Sequence, residues 1–555
     1  MVEIIEMTAF ALRIAAPVLA LIIMAVCFVS MNRGKREDKP LAYLYTSAEE
    51  EPYEVMFWEN LIGRHDSCDI VVKDMYVSRN HAVLVGRNGK WYISDIDSRS
   101  GVAVNGQRIE NRCPVGEGDK IQLGRTVLTM REPPKNRTRI SHRHMSKSVS
   151  GTLLVILAAF YMFLLTIEAF IYVGDIKIFF PSVAFIMAMF GAYYVSVTVM
   201  KRPDFELETI AFLLSGTGVV MSATYVIEWG FKQIISMLAG LVIYAFIIWF
   251  IKVPDRSKYL HYIMAVAAIG LVASAMLFGT AVNGAANWIY IGGLSLQPAE
   301  LAKVAYMFIC AGTLDRIRKN RYVVGLFIIT MVIFYMLYDI SDIGMAAVFF
   351  GAFLIAVYMW SGNLKAVIVV TVAALLAVGV IILLKPYVAD RFRVIGNVFE
   401  YSDGKGYQQS RALVFGASGG FFGLGIGNGN LRYIPISESD LMFSTLSEET
   451  GLFNALILVS AIAGLVLYAR SVTVKSRSVF YSMAACAASG LLLFQAALHI
   501  FGGLGMIPMT GLTLPFMSYG GTSMMACWGL LAFIKSADER TYERISIRKR
   551  GETLI

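Results

Sequence analysis

One acidic side chain in this sequence lies where chemistry is expected. Asp440 ends a long polar stretch and is followed at once by an apolar run that starts at Leu441. Ionisable groups at the entry to a hydrophobic helix are costly and are usually functional. A structural interpretation is also open, because an Asp that precedes an apolar helix often caps the free N–H groups of that helix. These residues alone leave both interpretations standing.

The composition indicates a membrane protein. The 555 residues are 57% hydrophobic and 16% charged, and the mean hydropathy is +0.62. Apolar runs of roughly 18 to 24 residues recur, and each is long enough to cross a bilayer. The net charge of +9 is concentrated in short connections and at the C-terminus, as membrane orientation requires, so nucleic-acid binding is a poor explanation. The six cysteines have neither metal-ligand nor disulfide spacing, and they offer no zinc site.

The chain divides into an N-terminal segment, a polar domain, a linker and a membrane domain. Residues 1–36 predict a transmembrane anchor, because acidic residues precede its apolar run and basic residues follow it, the reverse of a signal peptide. This order places the N-terminus outside the cell. Residues 40–131 form the polar domain, residues 132–148 a basic linker, and residues 149–555 a polytopic membrane domain.

The polar domain is predicted to be an all-β sandwich. Short alternating apolar runs are separated by turn signals such as Asn88-Gly89 and Asn105-Gly106. Three polar clusters fall between the runs, at residues 63–64, 78–81 and 98–106.

These three clusters, in this order, resemble the forkhead-associated (FHA) domain, which binds phosphothreonine peptides. The resemblance implies that Arg64 and Ser78 hold the phosphate and that Arg79 assists, and arginine offers a planar, charge-assisted fork for this purpose. Ser100 stands where the family usually has an Asn that grips the peptide backbone. Because serine is shorter, one arm of that grip is lost.

The same resemblance implies structural roles for two further residues of this domain. His81 is expected to brace the loops from inside the sandwich, and Asn105 is expected to fix a loop. Alternatively, Arg64 and Ser78 are ordinary loop residues. The implied ligand is a phosphothreonine-containing protein modified by a Ser/Thr kinase, or a residue of the chain's own linker such as Thr138.

The membrane domain is predicted to contain about twelve transmembrane helices in addition to the anchor. The runs lie near residues 150–171, 178–199, 207–228, 231–251, 258–281, 299–315, 322–339, 343–360, 365–385, 441–469, 479–504 and 521–535. Basic clusters alternate so that the polar domain and the C-terminus are cytoplasmic. The loop at residues 386–440 is then extracytoplasmic, and its length without helical periodicity indicates function.

Motifs along the membrane domain resemble, in order, those of the SEDS (RodA/FtsW) family of peptidoglycan glycosyltransferases. They occur at residues 283–289, 297–303, 341–344, 391–393, 406–408, 419–425, 440–451 and 507–521. The resemblance implies an all-α membrane fold and polymerisation of glycan strands from lipid II, an undecaprenyl-diphosphate-linked precursor, at the outer membrane face. It also implies a class B penicillin-binding transpeptidase as partner.

Asp440 matches the essential aspartate of that family and is expected to be the general base for the GlcNAc 4-hydroxyl group. Arg391 and Arg393 are expected to stabilise the leaving diphosphate, although both could instead snorkel to the membrane interface. A divalent cation, Mg or Mn, is a further possibility at Asp440. The remaining substrate-binding candidates are Lys405, Tyr407, Gln408 and Arg432.

A supporting network is implied by the other motif residues. Glu300 and Lys303 are three residues apart on one helix face, and Glu448 and Glu449 are expected to continue the helix of Asp440 and to tune its pKa by like charge. The glycines at 419–429 permit either a close approach to substrate or tight turns. The network residues are Trp288, Glu300, Lys303, Asp342, Glu448, Glu449 and Ser518.

Some positions depart from the family pattern. Asn287 replaces an Arg, Leu441 replaces a Phe, and His499 replaces an Asn and is expected to join helices by hydrogen bonding. The chain therefore resembles a divergent branch. Two alternative functions stay open: a flippase for lipid-linked precursors, and a non-enzymatic scaffold that carries the FHA domain.

Overall fold

The computed structural model describes most of the chain in two compact units. One unit comprises residues 1–33, 147–471 and 483–537, and the other comprises residues 34–146, 472–482 and 538–555. The described residues are 2–32, 40–46, 51–66, 68–87, 90–96, 98–109, 112–131, 149–200, 204–251, 257–282, 285–291, 294–315, 320–384, 386–475 and 479–538. The predicted linker, with Thr138, and the motif residues Asn283 and Gly284 lie outside these ranges.

Eleven strands form the β domain, which confirms the predicted sandwich. A six-stranded sheet has the order β2-β1-β11-β10-β7-β8, and a five-stranded sheet has the order β4-β3-β5-β6-β9. The strands are β1 (Ala42–Thr46), β2 (Tyr53–Val55), β3 (Glu59–Gly63), β4 (Ile70–Val71), β5 (Ala82–Arg87), β6 (Lys90–Asp95), β7 (Val102–Val104), β8 (Gln107–Arg108), β9 (Cys113–Val115), β10 (Lys120–Leu123) and β11 (Thr126–Arg131).

Alternation along these strands creates the core of the domain. In β10, Ile121 and Leu123 are buried whereas Lys120 and Gln122 are exposed, as expected for a strand with one face against a core. Residues from both sheets pack together, among them Leu44, Leu84 and Leu128.

The other unit is a helical bundle. Its long helices are α1 (Val2–Asn32), α2 (Gly151–Val173), α3 (Phe179–Thr198), α4 (Glu206–Tyr225), α5 (Ile227–Ile251), α6 (Ser257–Phe278), α7 (Pro298–Asp315), α8 (Asn320–Asp339), α9 (Ile343–Ser361), α10 (Leu364–Leu384), α15 (Gly451–Lys475), α16 (Val479–Gly503) and α17 (Gly521–Ser536). In the described part of the chain, the number of long helices agrees with the predicted twelve plus one at the N-terminus. Among the described residues, nine helices are long and apolar enough to cross a membrane by length and composition.

Helix α4 lies at the centre of the bundle. Every residue from Glu206 to Thr224 is buried, although this helix is less apolar than its neighbours. Trp528 of α17 packs on Phe212 of α4, with ring centres 4.8 Å apart. A helix enclosed on all sides needs no lipid-facing stripe, which explains the polar residues along α4.

The loop predicted to lack helical periodicity contains helices, so that prediction was wrong. It forms α11 (Pro386–Arg393), α12 (Tyr407–Ser418) and α13 (Ser437–Asp440). The predicted continuous helix from residue 441 to 469 was also wrong. The chain forms α14 (Met442–Glu449) and then α15, because Gly451, at which α15 begins, adopts a left-handed conformation with φ +86°.

A small antiparallel sheet precedes α7 and was not predicted. It consists of β12 (Thr280–Val282), β13 (Ala285–Ile291) and β14 (Leu294–Leu296), in that order. The sheet carries the first family motif. Asn287 and Trp288 therefore lie on a strand and not on a helix.

Candidate functional site

Asp440 is the last residue of the one-turn helix α13. Its backbone N–H donates to the Ile436 carbonyl over 2.9 Å, and its carboxylate oxygen Oδ1 accepts from the Ser439 hydroxyl over 2.7 Å. A Cβ added to Gly511 would lie 3.4 Å from the other carboxylate oxygen, Oδ2. The carboxylate is thus half-buried between its own turn and the segment at 507–521.

The structure does not support the helix-cap interpretation of Asp440. Helix α14 begins after Leu441, and no side chain caps it at that residue. Instead, the Phe443 N–H donates to His499 Nε2 over 3.2 Å, and His499 Nδ1 donates to the Leu512 carbonyl over 2.7 Å. His499 is therefore a hydrogen-bonding link between α14, α16 and the 507–521 segment, as predicted.

Burial raises the pKa of Asp440 to about 6. Glu438 also raises this pKa, whereas the Ser439 hydroxyl and the Arg391 guanidinium lower it. The carboxylate does not cap α14, and desolvation disfavours its charged form. Glu448 and Glu449 do not continue its helix either. The outcome is a carboxyl group that titrates close to neutral pH.

The turn before Asp440 is strained. Ile436 has φ +64°, a conformation that is rare for a β-branched residue and costs of order 1–3 kcal/mol. Its carbonyl accepts the N–H of Asp440. This strain could not be predicted from the sequence, because the residue that adopts the left-handed conformation is not Gly or Asn.

The segment at 507–521 holds the Asp440 turn by its backbone. Ser518 donates from its hydroxyl to the Ser439 carbonyl over 2.6 Å and accepts from the Leu514 N–H over 2.8 Å. The Tyr519 N–H donates to the Glu438 carbonyl over 2.9 Å. Ser518, a predicted network residue, is therefore a direct link between two motifs.

Of the predicted cations, Arg391 is near enough to Asp440 to lower its pKa. Arg393 pairs with Asp390 over 3.3 Å, and Lys405 forms a second ion pair with the same carboxylate. Both of these cationic side chains are largely exposed. They hold the pKa of Asp390 below its usual range. Asp390 thus joins Arg393 of α11 to Lys405 of the following loop.

Arg432 is occupied by backbone contacts. Its guanidinium donates to the Gly427 carbonyl over 2.6 Å and to the Thr224 carbonyl over 2.9 Å. Gln408 donates to the Pro435 carbonyl over 2.8 Å, whereas Tyr407 is exposed beside Arg411. Arg432 and Gln408 therefore shape the loop through its carbonyl groups.

Residues 419–431, which we call the glycine-rich loop, wrap around the end of α14. Glu448 accepts the N–H groups of Asn430 and Leu431 over 2.7 and 2.9 Å, and Glu449 accepts the N–H of Gly427 over 2.8 Å. These two buried carboxylates are anchors of the loop. They lie outside the predicted network of Glu300 and Asp342.

The residues of that predicted network form two adjacent groups. Glu300 and Lys303 pair over 2.5 Å, and Lys303 donates to Gln495 over 2.6 Å. Asp342 accepts from Asn287 over 2.7 Å and from Gln297 over 3.3 Å. Trp288 is half-buried on β13 beside this second group. Asn287, which stands where the family pattern has an Arg, thus binds this aspartate through its amide group.

The loops of the β domain bring the predicted phosphothreonine residues together. The Arg64 N–H donates to the Ser78 carbonyl over 3.0 Å, and the Ser78 hydroxyl accepts the Arg99 N–H over 3.1 Å. Arg79 is exposed in the same loop. Ser100 donates to the Tyr76 carbonyl over 3.0 Å and so ties two loops together.

His81 and Asn105 have the structural roles predicted for them. His81 is fully buried, accepts the Ser78 N–H at Nδ1 over 2.9 Å and donates from Nε2 to the Gly101 carbonyl over 3.1 Å. Asn105 donates to Asp119 and accepts the Lys120 N–H, each over 2.9 Å.

Comparison with known proteins identifies the family. The model of the FtsW/RodA/SpoVE cell cycle proteins matches residues 205–543, which is more than half of the chain. This chain belongs to the FtsW/RodA/SpoVE family. The FHA domain model matches residues 60–124, so the β domain is an FHA domain.

Curated relatives agree with this assignment. The probable peptidoglycan glycosyltransferase FtsW of Tolumonas auensis is 31% identical over 362 residues, which cover 61% of this chain and 94% of that protein. The peptidoglycan glycosyltransferase RodA of Mycobacterium tuberculosis is 27% identical over 348 residues, which cover 58% of this chain and 73% of that protein. A chain from a solved peptidoglycan synthase complex, described as coordinating polymerization and crosslinking, shares the fold. It has a TM-score of 0.51 and 24% identity and covers 59% of this chain and 95% of its own length.

Two glycines of the glycine-rich loop form a matched pair for testing the loop packing. Gly420 and Gly423 have φ +57° and +80°, but a Cβ at Gly420 meets nothing within 4 Å, whereas one at Gly423 would lie 2.2 Å from the Glu449 carbonyl oxygen. We expect Gly420→Ala to cost about 1–2 kcal/mol from backbone strain alone. Gly423→Ala should cost about 2 kcal/mol more, because its backbone neighbours cannot move aside cheaply.

Thermal unfolding of the purified full-length variants measures this difference. The expected result is a clearly larger fall in Tm for Gly423→Ala than for Gly420→Ala. Equal falls would contradict the close packing of the loop on α14.

Proposed function

We propose that this chain is a peptidoglycan glycosyltransferase that polymerises lipid II and is recruited or regulated through phosphothreonine binding by its FHA domain. The observation that carries the proposal is the half-buried carboxyl group of Asp440, with a pKa raised to about 6 beside the cation Arg391. A general base is most effective when its pKa lies near the working pH. The family and the names of its relatives support the same reaction.

In the proposed reaction, Asp440 accepts the proton of the GlcNAc 4-hydroxyl group of one lipid II. The oxygen attacks the anomeric carbon of the second molecule, with inversion. The new glycosidic bond forms as the bond from that carbon to the diphosphate oxygen breaks, and undecaprenyl diphosphate leaves with the electron pair. The carboxylate and the departing diphosphate must therefore be close together. Arg391 is the cation that we propose for this role, and the effect of its charge on Asp440 supports the proposal.

Arg393 and Lys405 are proposed as an outer pair of diphosphate contacts. Both share Asp390, and exposed ion pairs of this kind are worth little on their own. A diphosphate can displace such a partner at small cost and gain two charge-assisted contacts. Arg432 is assigned a structural role, since two of its donors are bonded to backbone carbonyls.

A divalent cation at this site would need the substrate phosphates as ligands in addition to the protein. Within the described part of the chain, no group of three His, Cys, Asp or Glu side chains could hold a metal ion. Mg²⁺ is often bound by one or two carboxylates together with substrate phosphates. Asp440 would be its protein ligand here, and the ion would neutralise charge on the diphosphate.

Replacing Asp440 tests the proposed role directly. We expect Asp440→Asn, which keeps the size of the side chain but cannot accept the proton, to lower the rate of glycan formation by about 10²–10⁴-fold. Asp403→Asn, an exposed carboxylate of the same connection, is the matched control and should polymerise like the wild type. The measurement uses purified protein with labelled lipid II, alone and with a class B transpeptidase.

The same assay separates the alternatives. Translocation of lipid II without polymer, unchanged in Asp440→Asn, would identify a flippase. Absence of polymer from the wild type in every combination would favour a scaffold. Polymer that persists at the wild-type rate in Asp440→Asn would contradict the role of this residue.

The pH dependence of the rate follows from the raised pKa of Asp440. The base is active when ionised, so the rate should fall about tenfold per pH unit below pH 6 and level off above it. Glu438 and Arg391 act on this group in opposite directions, and the Ser439 hydroxyl stabilises its charged form. Ser439→Ala should therefore move the acidic limb to higher pH. A limb near pH 4 that Ser439→Ala leaves in place would contradict this assignment.

Phosphothreonine binding is proposed at the loops that carry Arg64, Ser78, Arg79 and Ser100. Arg64 and Ser78 are linked by a backbone hydrogen bond, and an exposed guanidinium beside a hydroxyl group suits a phosphate. Ser100 already bonds the Tyr76 carbonyl, so it supports the loop more than it grips a peptide.

The proposed phosphothreonine site predicts that removing the charge of Arg64 weakens peptide binding. Arg64→Ala should weaken binding of a phosphothreonine peptide library at least tenfold, since a charge-assisted contact is worth about 1.5–3 kcal/mol. Arg131→Ala is the control, because Arg131 packs over Tyr45 at the far end of β11 from these loops. Binding is measured as capture of each variant on immobilised phosphothreonine peptides, with the same peptides carrying unphosphorylated threonine as the blank. Equal capture by both variants would exclude the site.

Partners and topology complete the proposal. The chain is a multi-pass protein of the cytoplasmic membrane, as its family and its helices indicate. We propose that the FHA domain and the C-terminus are cytoplasmic, with the N-terminus and the Asp440 site outside, because the basic clusters of the sequence alternate in that way. A class B penicillin-binding protein and a protein phosphorylated by a Ser/Thr kinase are the proposed partners.

A further inference from the structure

Three helices, α1 to α3, lie outside the residues that the family model matches. Helix α1 is nonetheless built into the bundle and packs on α2 and α4. Its Phe28 fills the space left by Gly464 of α15, where a Cβ would lie 1.9 Å from the ring. An anchor needs only a lipid-facing surface, so this close packing indicates a further role.

Arg13 connects α1 to the glycine-rich loop. Its Nη1 donates to the Gly423 carbonyl over 2.8 Å, and its guanidinium lies 5.2 Å from the centre of the Tyr172 ring. One turn earlier, Phe10 meets Phe422 edge-on, with ring centres 6.0 Å apart. A charged residue within an apolar helix is costly unless it is paired in this way.

Helix α2 holds the same loop from a second side. Glu168 accepts the Ile426 N–H over 3.3 Å at its carboxyl oxygen Oε1. Tyr172 lies against Gly425, where a Cβ would come within 2.1 Å of its ring. Arg13 thus binds a loop carbonyl while the carboxyl group of Glu168 binds a loop N–H.

The loop transmits this restraint to α14. The N–H groups of Leu424 and Gly425 donate to the carbonyls of Glu448 and Glu449, each over 2.9 Å. The carboxylates of both glutamates also bind loop N–H groups. Helix α14 starts at Met442, two residues after Asp440. Displacement of the loop therefore displaces the helix that follows Asp440.

We propose that α1 is a working part of the polymerase, in which Arg13 and Glu168 are positioning residues that hold the glycine-rich loop and, through α14, fix the place of Asp440. Neither side chain touches substrate. The inference rests on the proposed function, because turnover is one of its two readouts.

The test compares full-length wild-type protein with variants of Arg13 and of its neighbour Ile14. Arg13→Ala should lower kcat for labelled lipid II about tenfold, with KM within about twofold, because misplacement of a catalytic group affects the chemical step. It should also speed amide hydrogen exchange at residues 424–431. Arg13→Lys, which keeps the charge and a donor, should restore most of both. Ile14→Ala, on the exposed side of α1, should match the wild type.

Each remaining outcome has a defined meaning. If Arg13→Ala does not fold, Arg13→Gln replaces it, since this variant keeps an N–H donor without the charge and should show the same changes to a smaller degree. Wild-type turnover and wild-type exchange in these variants would overturn the positioning role. Equal losses in Arg13→Ala and Ile14→Ala would also overturn it. Absence of polymer from the wild type would contradict the proposed function instead, and loop exchange would still decide whether Arg13 holds the loop.

Discussion

Two buried carboxylates at the end of α14 are the interaction on which the site depends. Glu448 and Glu449 accept N–H groups of the glycine-rich loop that have no strand or helix partner. A hydrogen bond to a charged group contributes about 1.5–3 kcal/mol, so these bonds join the loop and α14 into one structural unit. One glycine follows from this contact, because a Cβ at Gly429 would lie 2.8 Å from a Glu448 carboxylate oxygen. Four others, Gly420, Gly423, Gly425 and Gly427, adopt positive φ and so serve the turns of the loop.

The two sides of Asp440 are restrained differently. Its C-terminal side is set by α14, through the loop. Its N-terminal side is set by backbone bonds to the 507–521 segment, in which Ser518 and Tyr519 hold Ser439 and Glu438. The strained residue Ile436 belongs to the same turn, and its carbonyl accepts the Asp440 N–H. Such strain persists only where the surroundings over-determine the backbone, and here it holds a carboxyl group in a position where desolvation raises its pKa.

The helices and the FHA sandwich could be predicted from the sequence, because the periodicity of the apolar residues and the length of each apolar run decide which element forms. The sequence also identified Asp440, Ser518 and the Glu300–Lys303 pair through their motifs. It failed where tertiary contacts override local pattern. The apolar run after Leu441 has a helical period, yet Gly451 divides it, and the Asp440 carboxylate faces the 507–521 segment in place of the helix N-terminus. The contact of Arg13 with Gly423 joins residues about 400 positions apart, a distance over which composition and spacing carry no information.

One hydroxyl group joins the two chain segments between which the FHA domain is inserted. Ser30, near the end of α1, accepts the Val149 N–H over 3.0 Å and donates to Glu206 of α4 over 2.8 Å. The chain therefore leaves the bundle and returns to it at one point, and a domain whose ends are close can be inserted without disturbing its host. The helices on either side of that point, α1 and α2, are those that carry Arg13 and Glu168 to the glycine-rich loop. Insertion at this point therefore leaves both contacts with the glycine-rich loop inside the bundle unit, on the helices that flank the inserted FHA domain.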